Sequence, residues 1–308
     1  MRIVKVRIKP KETRIDKYLT KLLKTLSRSK VKRLIKEGFI LVEGRKIDPD
    51  YEVRRGDTIR IEVPPPVPTK ILPEAAFLNI VHEDGDMAVI DKEAGMVVHP
   101  TGDHPSGTLV NALLYHLKKT SLPGQGEDLR PGIAHRLDKG TSGLIVVAKN
   151  QIALESLKNQ FRQRKVTKRY LALVGGKLEP RVGEIKKPIA RHGKNRQKFT
   201  ISPTGREAET DYEVKEYIGA FYTLIEVAPK TGRTHQIRVH FSSIGHPLVG
   251  DKLYGGKGAP RLFLHATGLE FTHPATGKKV SFVSPLPRKL VEILEKSRAS
   301  APTAALRS

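Results

Sequence analysis

The spacing of apolar residues switches from a helical to an alternating period near Gly38. Ile15, Leu19, Leu22, Leu23 and Leu26 recur at helical intervals, which predicts an amphipathic helix capped by Thr13 with Asp16 three residues on. A second helix is expected from Ser27 or Ser29, turning Val31, Leu34 and Ile35 inward and stopping at Gly38. Residues 39–42 then read as a strand, Glu43-Gly44 and Gly56-Asp57 as turns, and the alternating run 58–63 as a further strand. Pro64, Pro65, Pro66 and Pro68 suit neither element, and their fixed φ favours a stiff spacer, placed at 64–73. A small domain at 12–63 is therefore expected ahead of a larger one at 74–296.

In the larger part, strand-like runs at 87–90, 96–98, 144–148, 170–174 and 221–227 mix with helical ones near 109–118 and 151–164. Asn150 should cap the latter, whose Ala153, Leu157 and Phe161 share a side. Strands and helices do not alternate strictly, so the fold class is α+β: a mixed, mostly antiparallel sheet flanked by helices, not a doubly wound parallel one. Residues 234–247 alternate like a strand, but their ends argue for a helix. Thr234 can cap it, Gly245 can stop it, Pro247 lies beyond, and Ile237, Phe241 and Ile244 form an apolar stripe. Arg238 then sits in a first turn, where the helix dipole disfavours a cation, so a specific anion should hold it; Asp138 is the expected partner. The small, polar stretch 297–308 is expected to be disordered.

Charge narrows the function. Against 32 acidic residues stand 56 Lys and Arg, a formal net charge of +24 over 308 residues, which implies a polyanionic partner. No apolar stretch approaches a membrane span and the first residues lack a signal-peptide core, so nucleic acid is the better reading and the cytoplasm the default compartment. With no cysteine, disulfides and thiolate metal sites are excluded. Arg28, Lys30, Lys32, Arg33 and Lys36 crowd the second helix and are expected to contact phosphates.

The chemistry concentrates at residues 135–149, where Asp138 stands between Arg136 and Lys139 on a glycine-bounded turn leading into an apolar strand. Neighbouring cations favour its ionised form. Arg136 can stack on bases and bind phosphate. Tyr170 shares a strand face with Ala172 and Val174; periodicity favours plain core filling, although a tyrosine there could also present a flat surface to a pyrimidine. His235 and His240 are five apart and share no helix face, so no familiar zinc spacing appears, nor does a phosphate-cradling glycine loop; no metal and no cofactor are expected.

Two resemblances extend this reading. Residues 14–19, 26–29 and 35–45 resemble the alpha-L RNA-binding module of a small-subunit ribosomal protein and of several RNA-modifying enzymes, over about 12–63. Residues 135–149, 168–170 and 232–240 resemble the three main motifs of the large-subunit ribosomal pseudouridine synthases, with further matches at 91–100, 107–114 and 245–251. Glu93 departs from that pattern, standing where the family usually carries proline.

The second resemblance implies a pseudouridine synthase catalytic domain that isomerises uridines without a cofactor, in large-subunit ribosomal RNA. It implies that Asp138 is the catalytic aspartate, that Tyr170 stacks on the target base and is the nearest acceptor for its carbon 5 proton, and that Arg238 pairs with Asp138. Arg136 would fill the gap left by the extruded nucleotide, and Arg233 would join the RNA contacts. A monomer acting on structured or assembling ribosomal RNA is the expected form. The readings left beside it are a non-catalytic RNA-binding assembly factor and, less well matched, a metal-dependent nuclease.

Overall fold

The structure, a computed structural model, describes residues 2–300 apart from 9, 11, 24, 25, 27, 65–70, 102, 119–121, 124–130 and 196. Residues 1–68 and 69–308 form separate compact units. Most of the expected spacer at 64–73 lies outside the described residues, as do Ser27 and residues 301–308 of the expected tail.

The first unit holds β1 (Arg2–Lys5), α1 (Ile15–Leu23), α2 (Arg28–Glu37), β2 (Ile40–Val42), β3 (Arg45–Lys46) and β4 (Thr58–Ile61). Its antiparallel sheet runs β1-β4-β2-β3, so β1, which precedes the expected domain start at residue 12, supplies an edge strand. Ile15, Leu19, Val31, Leu34 and Ile35 pack on Ile40, Ile59 and Ile61, as the helical spacing demands. Gly38 ends α2 at φ +82.

Asp16 plays a different part from the one expected. α1 begins at Ile15, one residue late for a Thr13 cap, and instead of completing a capping box with Thr13 the buried Asp16 carboxylate accepts hydrogen bonds from Arg28 at 2.8 and 3.0 Å and from Arg14 at 3.3 and 3.5 Å, with Lys32 at 3.5 Å. Burial alone would raise its pKa; the hydrogen bonds from Arg28 and Arg14 outweigh that and hold it at about 2.

The second unit is built on β5 (Asn79–Glu83), β6 (Met87–Lys92), β7 (Ser142–Ala148), β8 (Thr167–Gly175), β9 (Val182–Lys186), β10 (Ile189–Arg191), β11 (Phe199–Ile201), β12 (Glu209–Ile218), β13 (Tyr222–Pro229), β14 (Leu264–Thr272) and β15 (Lys279–Val283). Four helices accompany them among the described residues: α3 (Leu109–His116), α4 (Gln151–Arg162), α5 (Gln236–Ser243) and α6 (Arg288–Ala299). The main sheet runs β5-β6-β7-β14-β8-β13-β12-β9, with β15 beside β14, while β10 and β11 pair separately. All its pairings are antiparallel except β7 with β14, which makes the sheet mixed and mostly antiparallel.

Side chains alternate across a strand, so each strand serves two layers. On β7, Ile145 and Val147 meet Leu109 and Leu113 of α3, whereas Leu144 and Val146 meet Leu154 and Leu157 of α4. On β8, Tyr170, Ala172 and Val174 share a cluster with Ile237 and Phe241 of α5, while Leu173 packs with Leu290 and Ile293 of α6. Helices thus flank both faces.

Three local expectations change. Residues 96–98 form no strand; Val97 makes an isolated bridge to Thr108, whose hydroxyl caps α3. Thr234 does not cap α5: the helix begins at Gln236, behind His235 at φ +56, and the Gln236 side chain closes the turn instead. Its Oε1 accepts from the Arg233 N–H at 2.9 Å and the Thr231 hydroxyl at 2.7 Å. Residues 297–299 are not a disordered tail but the last turn of α6, where buried Ser297 donates its hydroxyl to the Ile293 carbonyl at 2.8 Å.

Candidate active site

Asp138 sits on the loop entering β7, and the loop is pinned from several sides. Leu137 is 3 % exposed and belongs to the main core. Burying one leucine contributes about 2 kcal/mol, enough to offset the ordering of one or two residues. The Thr141 N–H donates to the Asp138 carbonyl at 3.0 Å, and the Gly95 N–H to the Lys139 carbonyl at 2.7 Å. His135 accepts the Val146 N–H on Nε2 at 3.0 Å and stacks on Phe161 with centroids 4.4 Å apart. Burial, then the Lys168 charge, drives His135 down to about 3, so a neutral imidazole ties this loop to its strand.

Gly143 answers a close approach. At φ +111, a Cβ there would lie 2.3 Å from the Ala266 carbonyl oxygen of β14. Only glycine lets the two strands pair in parallel at Gly143 and Ala266, which aligns the Asp138 loop with the middle of the sheet.

The structure brings Asp138, Tyr170, Arg238, Arg136 and Arg233 to one cavity of about 650 Å³, with His235, Ile237, Lys168 and Leu264 in its walls. Arg238 Nη1 donates to Asp138 Oδ2 at 3.4 Å. Its stronger bonds go elsewhere: Nε and Nη2 grip Asp251 Oδ2 and Oδ1 at 2.7 and 2.8 Å. The anion expected for this first-turn cation is therefore mainly Asp251, at the end of the matched stretch 245–251, with Asp138 second. Arg238 also lies 4.9 Å from the Tyr254 ring centroid. Burial opposes its charge, but Asp251 and then Asp138 raise its pKa above the usual arginine value.

His235 was missed by the sequence reading, which weighed it only as a metal ligand. Its Nε2 is 3.9 Å from Asp138 Oδ2 and its Nδ1 is 2.8 Å from the Tyr254 hydroxyl. That hydroxyl also accepts the Phe199 N–H at 2.9 Å, so its own proton is available to Nδ1, which assigns the imidazole proton to Nε2, facing Asp138. Burial lowers the His235 pKa and keeps the ring neutral.

Tyr170 is buried, and burial followed by the Asp138 charge pushes its hydroxyl far above the ordinary tyrosine value. Lys139, expected beside Asp138, instead has its Nζ 3.4 Å from His104 Nε2 and lines a second cleft. Arg233 Nε donates to the Glu207 carbonyl at 2.9 Å, while Arg136 is exposed at the cavity mouth. Lys92, a second residue the sequence reading passed over, is 1 % exposed and donates to the Glu93 and Met96 carbonyls at 2.7 and 3.0 Å. Burial lowers its pKa to about 8.

On α2, the five expected phosphate contacts divide. Arg28 and Lys32 are held by Asp16, and Arg33 lies 3.8 Å from Glu37. Lys36 is exposed and Lys30 half-buried. Among the described residues, Asp84, Asp86 and His273, and separately Glu184, Glu209 and Asp211, are close enough to share an ion. Neither group lines the Asp138 cavity, and Lys230 already bridges the second.

Asp138, bonded by Arg238, thus shares one cavity with buried Tyr170 and with the cations Arg136, Lys168 and Arg233. The comparisons agree with that description. Residues 86–243 match the RNA pseudouridylate synthase family and residues 13–59 the S4 domain. An uncharacterized RNA pseudouridine synthase of Aquifex aeolicus is 44% identical over 293 residues, covering 91% of this chain and 92% of that one. Ribosomal large subunit pseudouridine synthase D of Xylella fastidiosa is 39% identical, covering 91% and 88%. The solved structure of human RNA Pseudouridylate Synthase Domain Containing 1 aligns with a TM-score of 0.55 at 29% identity, covering 73% of this chain and 96% of that one. The chain belongs to the RNA pseudouridylate synthase family, and is an RNA isomerase with an S4 domain at its N-terminal end. No described helix is long and apolar enough to cross a membrane.

Proposed function

We propose that the chain converts uridines of large-subunit ribosomal RNA to pseudouridine, with Asp138 as the catalytic carboxylate, Tyr170 as the wall on which the extruded uracil stacks, and Arg238 as the cation that aims Asp138. The observation that carries this reading is the Arg238 bridge, bonded twice to Asp251 and once, at 3.4 Å, to Asp138 in the cavity that Tyr170 lines. The large-subunit substrate is supported by relatives that bear that name, and RNA as the partner also by the S4 domain.

A stacked uracil cannot rotate, so the target must first leave its helix at a cost of a few kcal/mol, which phosphate contacts from the net +24 charge offset. Arg136 fills the space the base leaves and Arg233 holds a phosphate beside it, while the α2 cations, exposed Lys36 among them, meet phosphates through the first unit. The bond from base N1 to the sugar breaks, the uracil turns, and carbon 5 joins the sugar; N1 gains a proton and carbon 5 loses one. Asp138 opens the reaction either by attacking sugar or base or by removing the sugar's 2′ proton, and both need its anion. Arg238 orients that carboxylate through the Nη1 hydrogen bond to Oδ2. Tyr170 stays a neutral phenol, because burial and the Asp138 charge disfavour phenolate. It can take the carbon 5 proton only while passing on its own, and Asp138 is the base in the same cavity.

Residues 12–63 then serve as an RNA-binding domain and 74–296 as the catalytic domain. Each compact unit has its own core and the site draws on one of them, which favours a monomer; ribosomal RNA as substrate favours the cytoplasm. Incubating wild type and Asp138→Asn with unmodified ribosomal RNA, and mapping pseudouridine by carbodiimide-dependent primer stops, tests the proposal. New stops in large-subunit RNA with wild type alone are expected. Modification by Asp138→Asn at the wild-type rate would remove Asp138 from its role, and stops confined to other RNAs would remove the substrate.

A further inference from the structure

Behind the catalytic loop lies a second cleft, of about 1540 Å³, whose lining shares only Arg238 with the Asp138 cavity. The loop straddles both: Asp138 and Thr141 face one cavity, Lys139, Gly140 and Ser142 the other. The far wall is α6.

Its charge is one-sided. Exposed Lys252, Lys289 and Lys296 line it, and none of them pairs with a carboxylate among the described residues. Arg261 is half-buried, donates only to the Ser142 hydroxyl at 2.9 Å and the Leu262 carbonyl at 3.3 Å, and likewise has no carboxylate partner among the described residues. Burial lowers its pKa, which marks a cation whose charge the protein leaves uncompensated. Two acidic residues of the cleft are paired, Asp251 with Arg238 and Glu292 with Arg288 at 2.9 Å, and half-buried Asp91 turns its carboxylate to the Ser284 hydroxyl at 2.7 Å. Glu93 is the exposed exception.

The second observation is Phe77, a cleft residue left 78 % exposed. A bare ring beside unpaired cations is the combination that binds single-stranded RNA, with bases stacking on the ring and phosphates tracking the charge. A duplex offers no free base face to such a ring.

We infer that this cleft holds an unpaired RNA segment flanking the target uridine, one base stacking on Phe77 and successive phosphates meeting Lys139, Lys252, Arg261, Lys289 and Lys296. The inference rests on the RNA-modifying reading above and extends it to a second RNA subsite on the other side of the catalytic loop. Glu93 opposes the bound strand.

Binding of two RNAs to the full-length protein tests it: a blunt hairpin with a uridine loop, and the same hairpin carrying a ten-nucleotide oligouridine tail. The tail should tighten wild-type binding. Phe77→Ala should lose about tenfold of affinity for the tailed RNA, the size of one base stack, and none for the blunt one. Lys252→Ala with Lys289→Ala should lower the slope of log affinity against log salt by about 1.4 on the tailed RNA only. Glu93→Gln should tighten tailed binding, a gain that damage to the fold would not produce. Equal effects on both RNAs, or no effect of the tail, would overturn the inference. Because binding is read without turnover, failure to form pseudouridine would count against the proposed function and leave the tail dependence to decide the subsite.

Discussion

Arg238 holds Asp251 with two hydrogen bonds at 2.7 and 2.8 Å and Asp138 with one at 3.4 Å. The tight grip falls on the carboxylate that is 1 % exposed, the loose one on the carboxylate that faces the cavity. Asp251 thus fixes the guanidinium, which keeps its remaining N–H on the Asp138 carboxylate and holds that side chain in place at the cavity.

Removing the anchor should therefore cost both fold and rate. Breaking a buried ion pair costs about 3–5 kcal/mol, so Asp251→Asn is expected to lower the melting temperature clearly and cut single-turnover pseudouridine formation about a hundredfold. Asp138→Asn should abolish turnover while moving stability by less than about 1 kcal/mol, as for a weaker, partly exposed pair. Thermal unfolding beside single-turnover kinetics checks the contrast, and a wild-type rate from Asp251→Asn would show that Asp138 does not depend on it.

The His235–Tyr254 contact makes a separate demand. Tyr254→Phe keeps a ring under Arg238 and removes the hydroxyl that fixes His235 Nδ1 at 2.8 Å, together with the acceptor of the Phe199 N–H outside the cavity lining. It should lower kcat about tenfold with KM unchanged, the effect of one lost orienting hydrogen bond of about 1.4 kcal/mol. Combined with His235→Ala, it should add almost nothing. Full additivity in that double-mutant cycle would separate the two residues.

Acid should weaken the fold through His135. Its folded pKa is about 3 against 6.5 for the free side chain. As pH falls below 6.5 the unfolded chain takes up a proton that the folded chain refuses, so stability drops, by about 2 kcal/mol at pH 5 from this group. His240 and His265 are also held low by burial and act in the same window, so the readout is the difference between wild type and His135→Gln in urea midpoints at pH 7, 6 and 5. That difference should shrink as pH falls; a constant difference would mean His135 is protonated in the folded protein.

The S4-domain unit has its own weak point. Asp16 is buried and takes hydrogen bonds or ion pairs from Arg14, Arg28 and Lys32, which are themselves partly exposed, and Asp16→Ala removes all of these contacts at once. A loss of about 1–2 kcal/mol confined to residues 1–68 is expected. Amide exchange should speed up there and stay unchanged in α3 and β7, and uniform protection across both units would contradict it.

What the sequence determined alone were the features written in consecutive residues. Helical spacing at Ile15, Leu19, Leu34 and Ile35, the Asn150 cap, the Gly38 stop and the run into β7 are local, because each depends on neighbours within a few positions. Asp138, Tyr170 and Arg238 were legible for a different reason: three separated motifs resembled one family, which joined residues that no periodicity could have brought together. Taken by itself, the Tyr170 strand still favoured plain core, and the ring is in fact both core and cavity wall.

Only the tertiary structure decided how charge is shared. Asp16 looked like part of a capping box and is an ion-pair hub; Arg238 looked like the partner of Asp138 and belongs first to Asp251; His235 looked like a failed metal ligand and faces Asp138. Electrostatic partnership depends on distances of a few ångströms between residues that can lie a hundred or more positions apart, as with Arg238 and Asp138 or His273 and Asp84. A linear pattern carries no term for that proximity, whereas burial of an apolar face follows from spacing alone. The same limit hid the second cleft, whose Phe77, Lys139, Lys252 and Lys289 come from four distant stretches that only the folded sheet and α6 gather.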